Sequence, residues 1–369
     1  MVFISSVGRG IPKYDVSQNE IKQFVKKIYA NQNRRLQRYL PVFDHAKINN
    51  RQLVAPLDWY AKRHSFSEAN EVYIKHALDL SLQAIDECVE NLSQKQAQLS
   101  TLSYEAIDLI VFVSSTGIAT PSLDAHIVNA RPFREDIVRM PLWGLGCAGG
   151  AMGLARARDW LQANQDKTAL VICCELCSLT FQLEDNSTSN IVGTALFGDG
   201  VAATLLIGEN SHYSHYIPNQ SLKIEQTHSY MKKDTLDVMG WDMKEGGLHV
   251  IFSKKIPSFI ETVWKKHVQI LLKQNDLTWE QIASFIAHPG GRKVLEEMEK
   301  ACHIPIKKLF YSYDVLQNHG NISSATVMYV LKKWLDEEMT NELEHPYALL
   351  SALGPGFSSE LLLLKRVNK

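Results

Sequence analysis

Continuous apolar runs alternate with amphipathic stretches along this chain, and the alternation predicts strands and helices in turn. Ile107 to Val113 (Ile-Asp-Leu-Ile-Val-Phe-Val) and Ala169 to Cys174 (Ala-Leu-Val-Ile-Cys-Cys) are short apolar runs, the pattern of strands buried on both faces. Between them an apolar segment breaks at Gly144 and Gly146, and a helix starts at Cys147 and continues through Ala155 to Ala163. A turn at Phe197-Gly198-Asp199-Gly200 leads into a further strand, Val201 to Ile207. The region up to about Ser100 reads as helix-rich. Glu209 to about Ser229 is polar and irregular, and is the expected junction between two parts. The whole pattern is that of an α/β protein.

The second part repeats the first. Ile282 to Ala287 matches the strand at Ile107, and a glycine-marked elbow then feeds an amphipathic helix ending in Trp-Leu in each part. Gly146-Cys147 leads to Trp160-Leu161, and Gly320-Asn321 leads to Trp334-Leu335. A strand, a glycine turn (Gly198-Asp199-Gly200 or Gly354-Pro355-Gly356) and a last strand follow in both. Residues 1–208 and 209–369 are therefore read as duplicated halves facing each other. Such a pseudo-twofold arrangement brings Cys147 and Asn321 together where the two elbows meet.

Cys147 carries the chemistry. A thiol at a helix start feels the positive end of the peptide dipole and free backbone N–H groups, which favour thiolate. The flanking glycines are expected to let a bulky substrate approach the sulfur. His288 ends a strand before Pro289-Gly290-Gly291, which separates it from the other histidines among the thirteen. Asn321 has a plain alternative use as a helix cap. Asn318 and His319 are near neighbours outside the pattern. Cys174 and Cys177 have a spacing that zinc tolerates, but no second Cys or His pair completes a tetrahedral set, so the reading is buried strand cysteines and no metal.

Composition excludes more than it identifies. Lys plus Arg (39) balances Asp plus Glu (40) over 369 residues with 45% hydrophobic content, so no nucleic-acid or membrane-surface partner is implied. No apolar run approaches a membrane span, and Met1 to Ser6 lacks the apolar stretch of a signal peptide. A cytoplasmic protein is expected. Its six cysteines, Cys88 and Cys302 among them, are then reduced thiols.

Five motifs together carry a resemblance. They are Gly-Cys-Ala-Gly-Gly at 146 to 150, Ala-Leu-Phe-Gly-Asp-Gly at 195 to 200, Ile-Ala-His-Pro-Gly-Gly at 286 to 291, Gly-Asn-Ile-Ser-Ser-Ala at 320 to 325 and Leu-Gly-Pro-Gly-Phe at 353 to 357. In order and spacing the chain resembles the chalcone synthase-like, or type III, polyketide synthases over nearly its whole length. Asp237 to Asp242 and Gly246 to Val250 look more like bacterial members that make alkylpyrones or alkylresorcinols from fatty acyl-CoA. The resemblance implies a thiolase fold, layered αβαβα, and a catalytic set of Cys147, His288 and Asn321. Cys147 would attack the starter thioester, with His288 as base or imidazolium partner. His288 and Asn321 would hold the malonyl thioester oxygen as decarboxylation makes it an enolate. Malonyl-CoA and acyl-CoA are the implied substrates, and no metal or redox cofactor is required.

The same resemblance assigns the surroundings. Cys177 and Thr180 fall in the acyl-cavity wall, Glu175 matches a cavity carboxylate with a buried structural acid as its alternative, and Phe197 matches an aromatic gatekeeper. A second gatekeeping phenylalanine of the plant pattern falls near Val250, Trp241 stands where small residues are frequent, and Leu353 replaces a phenylalanine. Arg38, Arg51 and Lys293 are candidates for CoA phosphates, while Pro41 and His45 stand where basic residues are common. Thr120-Pro121 matches a loop that reaches the neighbouring subunit's cavity through a cis bond, so a homodimer is expected. A ketoacyl-carrier-protein synthase III-like condensation is the nearest alternative, although such enzymes carry His-Gln-Ala-Asn where this chain has His288-Pro289-Gly290-Gly291. A thiolase lacks support because Gly354-Pro355-Gly356 has no second cysteine. A cysteine hydrolase and a non-enzymatic acyl-binding scaffold are further alternatives, and consumption of malonyl-CoA separates both from a condensing enzyme. Lactonisation gives a pyrone, and aldol closure gives a resorcinol.

Overall fold

In the computed structural model, which describes residues 1–29, 38–94, 100–339 and 345–368, nine strands share one mixed sheet. The first half supplies β1 (Val2–Gly10), β4 (Leu109–Ser114), β5 (Val138–Trp143), β6 (Thr168–Leu176) and β7 (Asp199–Gly208), after a small hairpin pairing of β2 (Tyr14–Ser17) with β3 (Asn50–Leu53). The second supplies β8 (Gln220–Met231), β11 (Ile282–Ala287), β12 (Tyr347–Gly354) and β13 (Ser358–Asn368), with an arm made of β9 (Met239–Lys244) and β10 (Gly247–Phe252). The strand order is β11-β12-β13-β8-β1-β7-β6-β4-β5. Across the seam β1 meets β8 only at Phe3↔Lys223 and Ile4↔Leu222.

The duplication is visible in the pairing. β4 runs parallel to β6, which is antiparallel to β7, which is antiparallel to β1. β11 runs parallel to β12, which is antiparallel to β13, which is antiparallel to β8. The strand preceding the first elbow, β5, has no counterpart among the described residues of the second half, where a short 3₁₀ turn, Ile306–Leu309, occupies the equivalent stretch of chain.

Strand periodicity sorts the core into layers. Leu109, Val111 and Val113 face the buried helices α3 (Gly149–Ala163) and α8 (Ser324–Glu337), whereas Ile110 and Phe112 face the long helix α2 (Phe66–Gln94). In the second half Leu350 and Ala352 face the central helices, and Leu349 and Leu353 face α5 (Lys265–Gln274) and α6 (Arg292–Cys302). The result is the expected αβαβα succession. Near the chain start, α1 (Gln18–Ile28) opens with a capping box in which Ser17 and Glu20 satisfy each other's backbone N–H groups.

Three expectations change. The N-terminal region is not simply helix-rich, because β1 lies between β7 and β8, interrupted by a register shift at Ile4/Ser6 that breaks its alternation. The junction is shorter than read, since Gln220–Met231 forms the 12-residue β8, whose polar residues occupy a half-exposed face against β13. The helix after the first elbow begins at Gly149; Gly146–Ala148 is a 3₁₀ turn.

Candidate active site

Both elbows are built on glycine backbones that exclude a side chain. Gly146 has φ +49°, and a Cβ there would stand 2.7 Å from the Pro355 ring of the last glycine turn. Its N–H donates to Ser115 Oγ at 3.0 Å. Gly150 lies where α3 crosses α8, and a Cβ would stand 2.3 Å from the Ser324 carbonyl oxygen. The glycines after Cys147 thus admit the second half's helix, not a substrate as expected.

The crossing places Cys147 Sγ 3.9 Å from Asn321 Oδ1 and 4.0 Å from Nδ2. Asn321 is 1% exposed and its amide is held from both ends. Nδ2 donates to Gly290 O at 3.1 Å, and Oδ1 accepts from Ser323 N at 2.8 Å. Ser323 is a non-glycine residue at φ +47°. That conformation turns its N–H back onto Asn321, a role no spacing in the chain announced. His288 follows β11, anchored by its N–H to Ser351 O. Its ring is buried with both nitrogens unpartnered among the described residues, and Nε2 stands 3.7 Å from where a side chain at Gly290 would begin. His288 and Asn321 therefore meet at Gly290. Asn318 bonds its own helix at Asp314 O, and His319 bonds Gln52.

Burial pushes the Cys147 thiol up to about 11, against hydrogen bonds from Ser323 and Asn321 that pull it down. Burial likewise pushes His288 down to about 3. Burial thus favours the thiol and the neutral imidazole and opposes the pull toward thiolate expected from the helix start, because the sulfur sits on the 3₁₀ turn ahead of α3. Glu175 lies behind Cys147, fully buried. It accepts from Ser324 Oγ at 2.6 Å, Thr116 Oγ1 at 3.0 Å and Ser115 N at 3.1 Å, and burial still raises it to about 7. It ties the two halves together and does not line the apolar cavity described below. Leu353 also stays out of that cavity, packed in the outer core of the second half.

An aromatic cluster stands beside Asn321. Phe197 packs against Trp241 (5.7 Å between ring centres) and Phe252 (5.6 Å). Trp241 pairs with Val250 across the β9–β10 arm, and Phe252 is two positions from Val250, on the same strand face. A phenylalanine therefore does stand against Phe197 close to Val250, and the period of two along β10 was the available signal. Next to Phe197 opens an apolar cavity walled by Ile21, Phe24, Leu53, Leu57, Phe181 and Val250, with Cys177 and Thr180 in its lining. Thr180 Oγ1 donates to Cys177 O at 2.7 Å. Thr180, Tyr60 and Phe181 are shared with an adjoining cleft of about 440 Å³ whose lining includes Lys62, Arg63, His64 and His249.

Profiles of the chalcone and stilbene synthases match the chain twice, the N-terminal domain over residues 1–211 and the C-terminal domain over 224–368. The chain belongs to this family. It is 44% identical over 363 residues to a putative chalcone synthase of Bacillus subtilis, covering 98% of each chain. It is 32% identical to a 1,3,6,8-tetrahydroxynaphthalene synthase of Streptomyces peucetius, covering 98% of this chain and 92% of that one. An alpha-pyrone synthesis polyketide synthase-like protein of Mycobacterium tuberculosis, Pks18, is 26% identical over 99% of this chain and 91% of its own. The crystal structure of the Streptomyces coelicolor 1,3,6,8-tetrahydroxynaphthalene synthase superposes with a TM-score of 0.88 over the whole of both chains at 24% identity, which establishes the thiolase-like fold. The protein is a type III polyketide synthase, an acyltransferase that condenses malonyl-CoA.

The remaining assignments divide. Arg38 and Lys293 are exposed on the synthase surface, as CoA-phosphate partners need, and so are Pro41 and His45. Arg51 is not: it is fully buried, with Nη1 donating to the carbonyls of Thr194 at 2.9 Å and Phe197 at 3.2 Å, because β3 is covered by the turn that carries Phe197. Thr120-Pro121 is cis and Thr120 is exposed, close to exposed Ile118. Cys173, Cys174 and Cys177 are buried free thiols, and burial raises all three. Among the described residues no helix is long and apolar enough to cross a membrane.

Proposed function

We propose that the synthase loads a medium- or long-chain fatty acyl group from acyl-CoA onto Cys147, extends it with malonyl-CoA and closes the product to an alkylpyrone. The nucleophile comes from the half 1–208, and His288 and Asn321 from 209–369. The Cys147 proton passes to neutral His288 as the sulfur attacks the starter thioester and CoA leaves as its thiol. Malonyl-CoA then binds with its thioester oxygen against His288 Nε2 and Asn321 Nδ2. Loss of carbon dioxide makes that oxygen an enolate, which donors held in place stabilise. The enolate carbon attacks the acyl-Cys147 thioester, the sulfur is expelled, and the lengthened chain, now on CoA, returns to Cys147. At the triketide stage an enol oxygen attacks the thioester carbonyl and releases the lactone. No cofactor beyond the CoA thioesters takes part.

The observation that supports the fatty starter is the apolar cavity beside Phe197, about 50 Å³ with aliphatic and aromatic walls and the small Cys177 among them, taken with the cleft of about 440 Å³ that it adjoins at Tyr60, Thr180 and Phe181. Arg38 and Lys293 are assigned to the CoA phosphates. The enzyme is assigned to the cytoplasm as a homodimer, docked through the outer edge β5, where Val138 is exposed at one end and Trp143 (52% exposed) stands at the other beside exposed Ile118. Mass spectrometry of products from the purified enzyme, malonyl-CoA and acyl-CoA starters of graded length tests the reading. Alkylpyrones from starters of eight or more carbons are expected; preference for aromatic starters, resorcinols in place of pyrones, or acid release without malonyl-CoA consumption overturns it.

A further inference from the structure

The two best-defined helix starts in this chain differ, and the difference falls on Asn321. At α1 the cap residue Ser17 is extended, its hydroxyl accepts from Glu20 N, and the Glu20 side chain returns to Ser17 N. At α8 the cap residue is Ser323, with φ +47° and ψ −126°, and its side chain makes no capping bond. The third helical residue, Thr326, reaches back as Glu20 does but one peptide further, and its Oγ1 accepts from Ile322 N at 2.9 Å. The cap N–H is thereby left for Asn321 Oδ1, at 2.8 Å.

Thr326 is fully buried, and its hydroxyl holds the chain on both sides of that N–H. It accepts from the Asn321–Ile322 peptide through Ile322 N, and donates to the Ser323–Ser324 peptide through Ser323 O at 2.9 Å, with Asn321 Oδ1 the more distant acceptor at 3.4 Å. Thr326 N adds a bond to the same carbonyl at 3.2 Å. The peptide in between, Ile322–Ser323, is the one whose N–H meets Asn321. A positive φ is disfavoured for a residue with a Cβ and persists only where its surroundings over-determine it. One hydroxyl supplies that constraint at both neighbouring peptides.

The orientation of the Asn321 amide depends on it. Cys147 Sγ lies 3.9 Å from Oδ1 and 4.0 Å from Nδ2, so the sulfur does not distinguish the two ends. Ser323 N–H does, because only the oxygen accepts from it, and Gly290 O takes one of the two Nδ2 hydrogens. The second hydrogen is the one left for a bound oxygen. Such a donor is effective when it is fixed before charge develops.

We propose that Thr326 is a positioning residue for malonyl-CoA decarboxylation, holding Ser323 in its left-handed conformation and, through it, the Asn321 amide. None of its hydrogen bonds reaches Cys147 or His288. The proposal rests on the reading of Asn321 as a donor to the malonyl thioester oxygen.

Two rates on the purified enzyme test it: carbon dioxide release from malonyl-CoA, and acyl transfer to Cys147 from acetyl-CoA or octanoyl-CoA, whichever loads faster, followed by intact mass. Thr326→Val keeps the shape without the hydroxyl; it is expected to lower kcat for carbon dioxide release about tenfold, with KM and acyl transfer within about twofold of wild type. Thr326→Ser keeps Oγ and is expected to restore release to within about twofold of wild type. In an Asn321→Ala background Thr326→Val is expected to have no further effect, because the amide it acts through is gone. A merely structural role would lower both rates together and would persist without the amide. Full release by Thr326→Val, equal loss of both rates, a loss that persists in the Asn321→Ala background, or a Thr326→Ser variant as slow as Thr326→Val overturns the proposal. If Thr326→Val does not fold, Thr326→Ala removes the same hydroxyl and carries the same comparisons. Asn321→Ala alone reports on the donor reading: wild-type release by that variant overturns the reading and the proposal with it, whereas slow release by Asn321→Ala beside full release by Thr326→Val overturns the proposal alone.

Discussion

The two elbows are the same device put to different uses. Each follows a glycine with positive φ, +49° at Gly146 and +68° at Gly320, and each feeds a helix buried at the centre of the molecule. The first leaves Cys147 only partly covered, with no hydrogen bond to its sulfur shorter than 3.9 Å. The second draws Asn321 inward to 1% exposure and fixes its amide with Gly290 O and Ser323 N. Duplication thus supplied two equivalent positions. In the proposed mechanism the first forms and breaks a covalent bond, and the second is immobilised, as a donor needs to be when charge develops on a bound oxygen.

Exchanging those properties has the largest expected effect. Cys147→Ala is expected to abolish acyl-enzyme and polyketide while retaining malonyl-CoA decarboxylation, and Asn321→Ala to lose about 10²–10³-fold in decarboxylation. Intact-mass spectrometry and carbon dioxide release measure the two. Extension of a starter by Cys147→Ala at the wild-type rate would erase the distinction between the elbows.

Glu175 couples the halves through Ser115 and Ser324 and gives a stability test with a definite sign. Its folded-state value, about 7, lies above the usual 4.5 of a glutamate, so the folded chain binds more protons in between. Its stabilisation is present below pH 4.5 and is lost as pH rises through 7. Glu175→Gln is expected to shrink the drop in unfolding free energy between pH 5 and pH 8 by on the order of 2–3 kcal/mol, read from urea unfolding at each pH. An unchanged drop assigns the pH dependence elsewhere, with Asp199 and Glu360, also raised by burial, as the next candidates.

Gly150→Ala sharpens the comparison at the crossing itself. A methyl group 2.3 Å from Ser324 O forces α3 and α8 apart, for which about 1–3 kcal/mol of destabilisation is expected in the same assay. Cys177→Phe acts on the cavity alone: filling the wall is expected to cost about 1–3 kcal/mol in extension of long starters and less for short ones, read from kcat/KM across chain lengths. Equal loss at all lengths would place Cys177 outside the acyl path. The smallest effect is expected of Lys293→Ala, a few-fold rise in KM for malonyl-CoA with kcat unchanged, since an exposed ion pair contributes about 1 kcal/mol or less.

The duplication was legible because elbows, glycine turns and buried strands are local patterns. The motifs around Cys147, His288 and Asn321 could be read for the same reason. β1 escaped because Ser5 and Ser6 interrupt its apolar run at a register shift, and β8 because a strand covered on one face alone can be mostly polar. The burial of Arg51, the turn of Ser323 onto Asn321 and the meeting of Phe252 with Phe197 depend on segments far apart in the chain, where no residue spacing encodes the contact. Cys147 shows the same limit for electrostatics. A helix start was readable, but the protein packed around the sulfur was not.

Phe197 and Asn321 share a short backbone seam: Asn321 N donates to Leu196 O at 2.8 Å, and Gly198 N donates to Asn321 O at 3.0 Å. Phe197 and Asn321 are thereby held as one piece, and a backbone movement that shifted Phe197 would carry the Asn321 amide with it. Only the size of side chains at 197, 241, 250 and 252 is left free to vary. If this cluster gates the cavity, single substitutions in it change what enters while the donor stays in place.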